Sequence, residues 1–118
     1  MRVIVTDCDH DNMLQEEEVF ARAGMTFEHM ACKTEEDFIH QAKGGEIMLT
    51  QYGLFTRRVM EALRPELKLI IRYGVGVDTI DLEAATELGV QVCNVPDYGM
   101  NEVADQAMAM MLALARKI

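Results

Sequence analysis

The sequence has no tryptophan, only two prolines, and only three cysteines among 118 residues. Cys8, Cys32 and Cys93 are odd in number, far apart, and form no C-x-x-C pair. That spacing argues against a disulfide framework and fits reduced thiols, the state expected of a cytoplasmic protein. With little proline and no low-complexity stretch, the chain does not read as disordered. Basic residues are scarce too: 11 Lys and Arg stand against 20 Asp and Glu, for a net charge of −9. A nucleic-acid partner would need a basic stripe, so none is expected. No run approaches the ~18 apolar residues of a membrane span. No basic-then-apolar leader opens the chain, which therefore reads as soluble and unexported, with no membrane partner.

Half of the residues are hydrophobic, enough at this length for one domain with a single core. Arg2 to Thr6 reads as a first strand. Leu14, Val19, Phe20 and Ala23 recur at helical spacing over residues 13 to 23, with Gly24 as the stop. Met25 to Met30 alternates like a strand. Thr34-Glu35-Glu36-Asp37 is close to a capping box, opening a helix to about Lys43. Ile47 to Leu49 is a third strand, and Thr56 to Leu63 a helix with Pro65 just beyond it. Lys68 to Ile71 is almost wholly apolar, as in strands buried on both faces of a parallel sheet. Asp81 caps a helix over Leu82 to Leu88 that Gly89 closes, and Gln91 to Asn94 is the fifth strand. Strands alternating with helices give a doubly wound, five-stranded parallel α/β sheet. Ligands bind such sheets at the carboxyl ends of the strands, so the loops after Thr6, Leu49, Ile71 and Asn94 matter most.

The segment from Asn101 to Ile118 is different. Its apolar residues, Met108, Met110, Met111, Leu112 and Leu114 among them, cover nearly the whole helical circumference instead of one stripe. Such a helix expects a second body to pack against, either another domain or another subunit.

Leu69-Ile70-Ile71-Arg72-Tyr73-Gly74-Val75-Gly76-Val77-Asp78-Thr79-Ile80-Asp81 is the most informative run. An apolar strand stops at a double-glycine loop, then a helix follows. A dinucleotide fingerprint fails here, because Thr79 replaces the third glycine and Asp78 and Asp81 oppose a pyrophosphate. A tight turn needing glycine at positive φ is one alternative. The reading that fits best is a carboxylate cradle, with the Val75 and Gly76 amides pointing at a small acid. Tyr98, past the fifth strand and beside Gly99, is placed to reach the same ligand. Asp7-Cys8-Asp9-His10-Asp11 suggests either a Mg²⁺ site or a solvated loop with helix-capping duty, and the second fits better. A phospho-receiver would need Asp at Thr50 or Gln51 and Lys at Val95 or Pro96. His10, His29 and His40 read as surface or boundary residues away from the glycine loop, and no metal ligand set is expected.

Three blocks together, Arg72 to Asp81, Gly89-Val90-Gln91-Val92-Cys93-Asn94-Val95-Pro96 and Glu102-Val103-Ala104-Asp105, resemble the D-isomer-specific 2-hydroxyacid dehydrogenases. The likeness is strongest to the phosphoglycerate dehydrogenase and C-terminal-binding-protein branches, and it covers essentially the whole chain. It implies a flavodoxin-like fold and the N-terminal portion of a substrate-binding (catalytic) domain over residues 1–100. Residues 101–118 are then a long hinge helix leading to a Rossmann NAD domain. By position, the resemblance implies that Val75 and Gly76 hold the substrate carboxylate and that Tyr98, Gln51 and Tyr52 line its pocket. Val75 and Val103 would meet the nicotinamide of NAD or NADP. The implied activity of the parent is oxidation of a 2-hydroxy acid or reduction of a 2-keto acid, in a homodimer. The family's catalytic Arg, Glu and His fall beyond Ile118, so residues 1–118 alone are expected to be inactive. An NAD-sensing corepressor-like protein and a stand-alone small-ligand module are the rival readings.

Overall fold

The computed structural model describes residues 1–118. Five strands and five helices alternate: β1 (Arg2–Asp7), α1 (Leu14–Arg22), β2 (Thr26–His29), α2 (Glu35–Gln41), β3 (Ile47–Thr50), α3 (Arg57–Leu63), β4 (Leu69–Arg72), α4 (Leu82–Leu88), β5 (Gln91–Cys93) and α5 (Met100–Arg116). All strand pairs are parallel, in the order β2-β1-β3-β4-β5. This is the flavodoxin-like order, whose switch point lies between β1 and β3. β1 and β3 run one residue past their apolar patterns, to Asp7 and Thr50, because backbone pairing continues there.

Side chains alternate across the sheet and divide the core in two. On one face Ile4, Met48 and Ile70 pack under α2, α3 and α4 in a cluster of 15 buried residues. On the other, Val3, Val5, Met13, Ile47 and Leu49 form a cluster of only 5. α1 is the one helix whose residues join that smaller cluster, and it packs against the edge strand β2. The expected apolar stripe of α1 is therefore only partly used. Phe20 stacks on Phe27 at 5.8 Å between ring centroids, while Leu14, Val19 and Ala23 stay exposed.

Local chemistry explains the helix ends. Asp37 N donates to Thr34 Oγ1 at 3.2 Å and Thr34 N to Asp37 Oδ2 at 2.9 Å, a complete capping box at the start of α2. The Lys33 and Thr34 amides hold the Asp37 carboxyl below its ordinary range. At α4, Ala84 N donates to Asp81 Oδ1 at 2.9 Å, and Gly89 closes the helix at φ 70°. Asp81→Ala should lower the unfolding free energy by about 1 kcal/mol, read from urea denaturation midpoints. An unchanged midpoint would show that the cap contributes nothing.

α5 leaves this body. None of its residues is buried, and the molecule measures 57 × 32 × 22 Å along its principal axes. No helix is long and apolar enough to cross a membrane.

Candidate functional site

The sheet's carboxyl edge is organised by Asp7. The register of β1 against β3 shifts between Val5 and Asp7, so that Thr6 is an extra residue and Asp7 lies opposite Thr50. Bulges of this kind re-aim a side chain at a strand end. The Asp7 carboxylate thereby accepts from Thr50 Oγ1 at 2.6 Å, Tyr52 N at 2.6 Å and Gln51 N at 3.2 Å. The loop after β3 is thus tied to the end of β1 across the switch point.

Asp9 adds a second tie. Its amide donates to Gln51 Oε1 at 2.9 Å, Gln51 Nε2 donates to Tyr52 Oη, and Tyr52 Oη donates to Asp9 Oδ2, both at 3.0 Å. The Gln51 amide and the Tyr52 hydroxyl lower the Asp9 carboxyl's affinity for a proton, and the carboxylate raises the Tyr52 phenol in turn. The helix-capping role expected of this acidic run is not what the structure has. α1 starts at Leu14 behind an N-cap, Met13, that makes no side-chain cap, and Asp7 and Asp9 are spent on the β3 loop. No group of three or more His, Cys, Asp or Glu side chains converges as a metal site.

The Arg72–Asp81 loop is tied from behind. Val95 N donates to Gly74 O at 3.0 Å, and Asn94 Nδ2 to Val75 O at 2.8 Å. The carbonyls are engaged, but the Gly74, Val75 and Gly76 amides donate no hydrogen bond within the protein. Gly74 has φ 134°, a backbone conformation that strains any L side chain, and the point where a Cβ would sit lies 2.6 Å from Arg72 Nη1. The guanidinium is therefore seated against the loop. The only two buried side-chain polar atoms without a partner, Arg72 Nε and Thr79 Oγ1, belong to this same segment.

A cavity of about 240 Å³ opens at Gly74, the first of these three residues, and is lined by His10, Gln51, Tyr73, Gly74, Val95 and Tyr98. It brings together loops after β1, β3, β4 and β5. His10 was expected away from the glycine loop, but its ring packs edge-on against Tyr73, with centroids 5.3 Å apart. The contact escapes the sequence because 63 residues separate the two, and only the β1–β3–β4 adjacency joins them. Tyr73 donates to Glu16 Oε1 at 3.1 Å; burial first, then the Glu16 carboxylate, pushes its phenol far up. Tyr52 faces a different cavity of about 440 Å³, shared with Cys8, Cys32, Lys33 and Leu54, where burial raises the Cys32 thiol to about 11. Val75 is 52% exposed, Tyr98 73%, and Val103, in the first turn of α5, 71%.

Comparison with known proteins adds the decisive observation. Residues 3–116 match the profile described as D-isomer specific 2-hydroxyacid dehydrogenase, catalytic domain. The chain belongs to that family. Among curated relatives of this dehydrogenase segment is D-3-phosphoglycerate dehydrogenase of Methanocaldococcus jannaschii, 38% identical over the whole chain but over only 22% of that protein. Glyoxylate reductase of Thermococcus onnurineus is 46% identical over 46% of the chain and 16% of its own length. The solved NAD⁺-bound 3-phosphoglycerate dehydrogenase of Entamoeba histolytica aligns with a TM-score of 0.82 and 26% identity. That alignment covers 96% of this chain and 38% of that one. A Staphylococcus aureus NAD-dependent formate dehydrogenase in complex with NAD aligns at 0.81 and 25% identity, over 99% and 39%. The chain thus spans about a fifth of these curated relatives and under two-fifths of the solved chains.

Proposed function

We propose that this chain is the N-terminal part of the substrate-binding domain of an NAD(P)-dependent 2-hydroxyacid dehydrogenase. The parent interconverts a 2-hydroxy acid and its 2-keto acid. The observation that carries the reading is the row of unengaged amides at Gly74, Val75 and Gly76, held by the ties from Asn94 and Val95, with Gly74 in the wall of a cavity. Convergent backbone donors at a strand end stabilise a carboxylate. In this reading the Val75 and Gly76 amides take the substrate's carboxylate, while Tyr98 and Gln51 supply the polar wall that orients it. Tyr52 holds the β3 loop through Asp9.

NAD or NADP is bound mainly by a Rossmann domain that follows residues 101–118 in the parent. The part of the site present here fits it modestly: Val75 and Val103 offer exposed apolar surface for the flat face of a nicotinamide. When bound, the cofactor supplies or accepts the hydride. The substrate hydroxyl also needs a base within hydrogen-bond reach, which in this reading the parent supplies from beyond residue 118. The parent is a homodimer in this reading, and its location is the cytoplasm. The sheet face that carries only the smaller cluster is completed when the parent chain returns after its nucleotide domain.

Residues 1–118 incubated with NADH and a panel of small 2-keto acids should consume no NADH above background, while the longer parent should consume it with at least one. Turnover by the 118-residue chain, or none by the parent, would overturn this assignment.

A further inference from the structure

Gln51 is the one residue of the loop after β3 that stands in the wall of the 240 Å³ cavity. A glutamine amide has an acceptor end and a donor end of nearly the same shape, so what it recognises depends on which way it is turned. Both ends are fixed here by groups that have no choice of role. A backbone N–H can only donate, so the Asp9 amide, 2.9 Å from Oε1, turns the oxygen end of Gln51 toward itself. A carboxylate can only accept, so Tyr52 spends its single hydroxyl hydrogen on Asp9 Oδ2 at 3.0 Å. Tyr52 Oη is then left to accept, and Gln51 Nε2 donates to it at 3.0 Å. The three bonds close a ring that runs in one direction, beginning and ending on Asp9. A flipped Gln51 amide would set nitrogen against the Asp9 N–H and oxygen against the spent hydroxyl, losing both of its bonds.

The main chain of the loop is held by other means. Asp7 accepts from the Gln51 and Tyr52 amides, and Gly53 N donates to Thr50 Oγ1 at 3.1 Å. Asp9 takes no part in those bonds, so what it governs is the Gln51 side chain. Asp9 and Tyr52 are absent from the lining of the 240 Å³ cavity and stand instead in that of the 440 Å³ one. They therefore act on a ligand of the smaller cavity through Gln51.

We propose that Asp9 is a positioning residue of the dehydrogenase, which locks the Gln51 amide, through its own N–H and through Tyr52, as a donor to the substrate. Nε2 carries two hydrogens and Tyr52 takes one, so the second is offered to a ligand oxygen. The ionised carboxylate and the ketone of a 2-keto acid carry only acceptor oxygens, which suits a wall residue fixed as a donor. The proposal rests on the dehydrogenase reading given above and concerns the same site.

The Gln51 side-chain NH₂ signals of the ¹⁵N-labelled 118-residue chain read the ring directly. Asp9→Ala should move them toward the values of a solvent-exposed glutamine, while the Leu82–Leu88 amides stay in place. In the parent enzyme the same change should raise KM for its 2-keto acid about fivefold, the equivalent of one ordinary hydrogen bond, with a smaller fall in kcat. Asp9→Asn keeps an acceptor oxygen for Tyr52 and should recover part of the KM. Tyr52→Phe removes only the relaying hydroxyl from an exposed ring and should raise KM as Asp9→Ala does. The two changes combined should cost no more than either alone, since both open the same ring. Additive effects, or equal KM in Asp9→Asn and Asp9→Ala, would overturn the positioning role, as would Gln51 side-chain signals that stay in place in Asp9→Ala. An unaltered KM in an active parent would overturn the proposal and leave the dehydrogenase reading intact. If the wild-type parent consumes no NADH with any 2-keto acid, that reading fails, and this proposal with it.

Discussion

Phe55→Ala should lower the unfolding free energy by about 3–5 kcal/mol, a large share of the stability of a domain this size. Phe55 is fully buried, and its ring meets Phe38 edge-on at 5.3 Å and 76°. Truncation leaves a void bordered by an aromatic ring, and rigid neighbours close such voids poorly. The same residue is a structural joint. Its amide donates to Thr79 O at 2.9 Å, and its carbonyl accepts from Asp81 N at 3.0 Å, which stitches the β3 exit to the loop after β4. Those bonds use the backbone and survive in the variant, so the loss measures packing alone. Urea unfolding at constant m-value is the test, and a change below about 1 kcal/mol would show that the pocket collapses around the smaller side chain.

Asp7→Ala is expected to have the second-largest effect, about 2–4 kcal/mol, for a different reason. The carboxylate is the common acceptor for the Thr50 hydroxyl and for the Gln51 and Tyr52 amides. Its removal strands three donors, one of them on a fully buried threonine. Asp7→Asn, which keeps an oxygen but loses the charge and half the acceptor capacity, should fall between wild type and alanine. The amide signals of Gln51 and Tyr52 should shift in both variants, and those of Leu82–Leu88 should stay in place. If Asn and Ala behave alike, shape and not hydrogen bonding is what Asp7 contributes.

The parts of this fold that sequence could reveal are those set by near neighbours. Asp81 and Gly89 bracket α4 as their side chains dictate, and Thr34 with Asp37 opens α2 for the same reason. The double-glycine loop also announces itself, because its backbone requirement is local. The clasp between Asp7 and Gln51–Tyr52 was hidden. Its partners lie 44 and 45 residues apart, and what joins them is the β1–β3 pairing plus one inserted residue at Thr6. An aspartate at the end of the first strand of a 2-1-3-4-5 sheet was the available signal, since that position borders the switch point. Leu14 and Val19 misled in the opposite sense. Helical periodicity states which residues can face a core, and α1 has only the sheet's edge to lie on.

α5 has a thermodynamic consequence of its own. It spans 17 residues with no buried side chain, so its order draws almost nothing from tertiary packing. An isolated helix of that length is marginal in water, because each turn must repay its own loss of backbone freedom. The segment's helicity is thus conditional: it rises when a surface is supplied and falls when that surface is withdrawn. Ellipticity and amide-exchange protection over Met100–Arg116 become a gauge of docking, independent of any ligand at the sheet. Whatever seats on Met108, Met111 and Leu112 must first supply the free energy of ordering them, and its measured affinity will be lower than its contacts suggest by that amount.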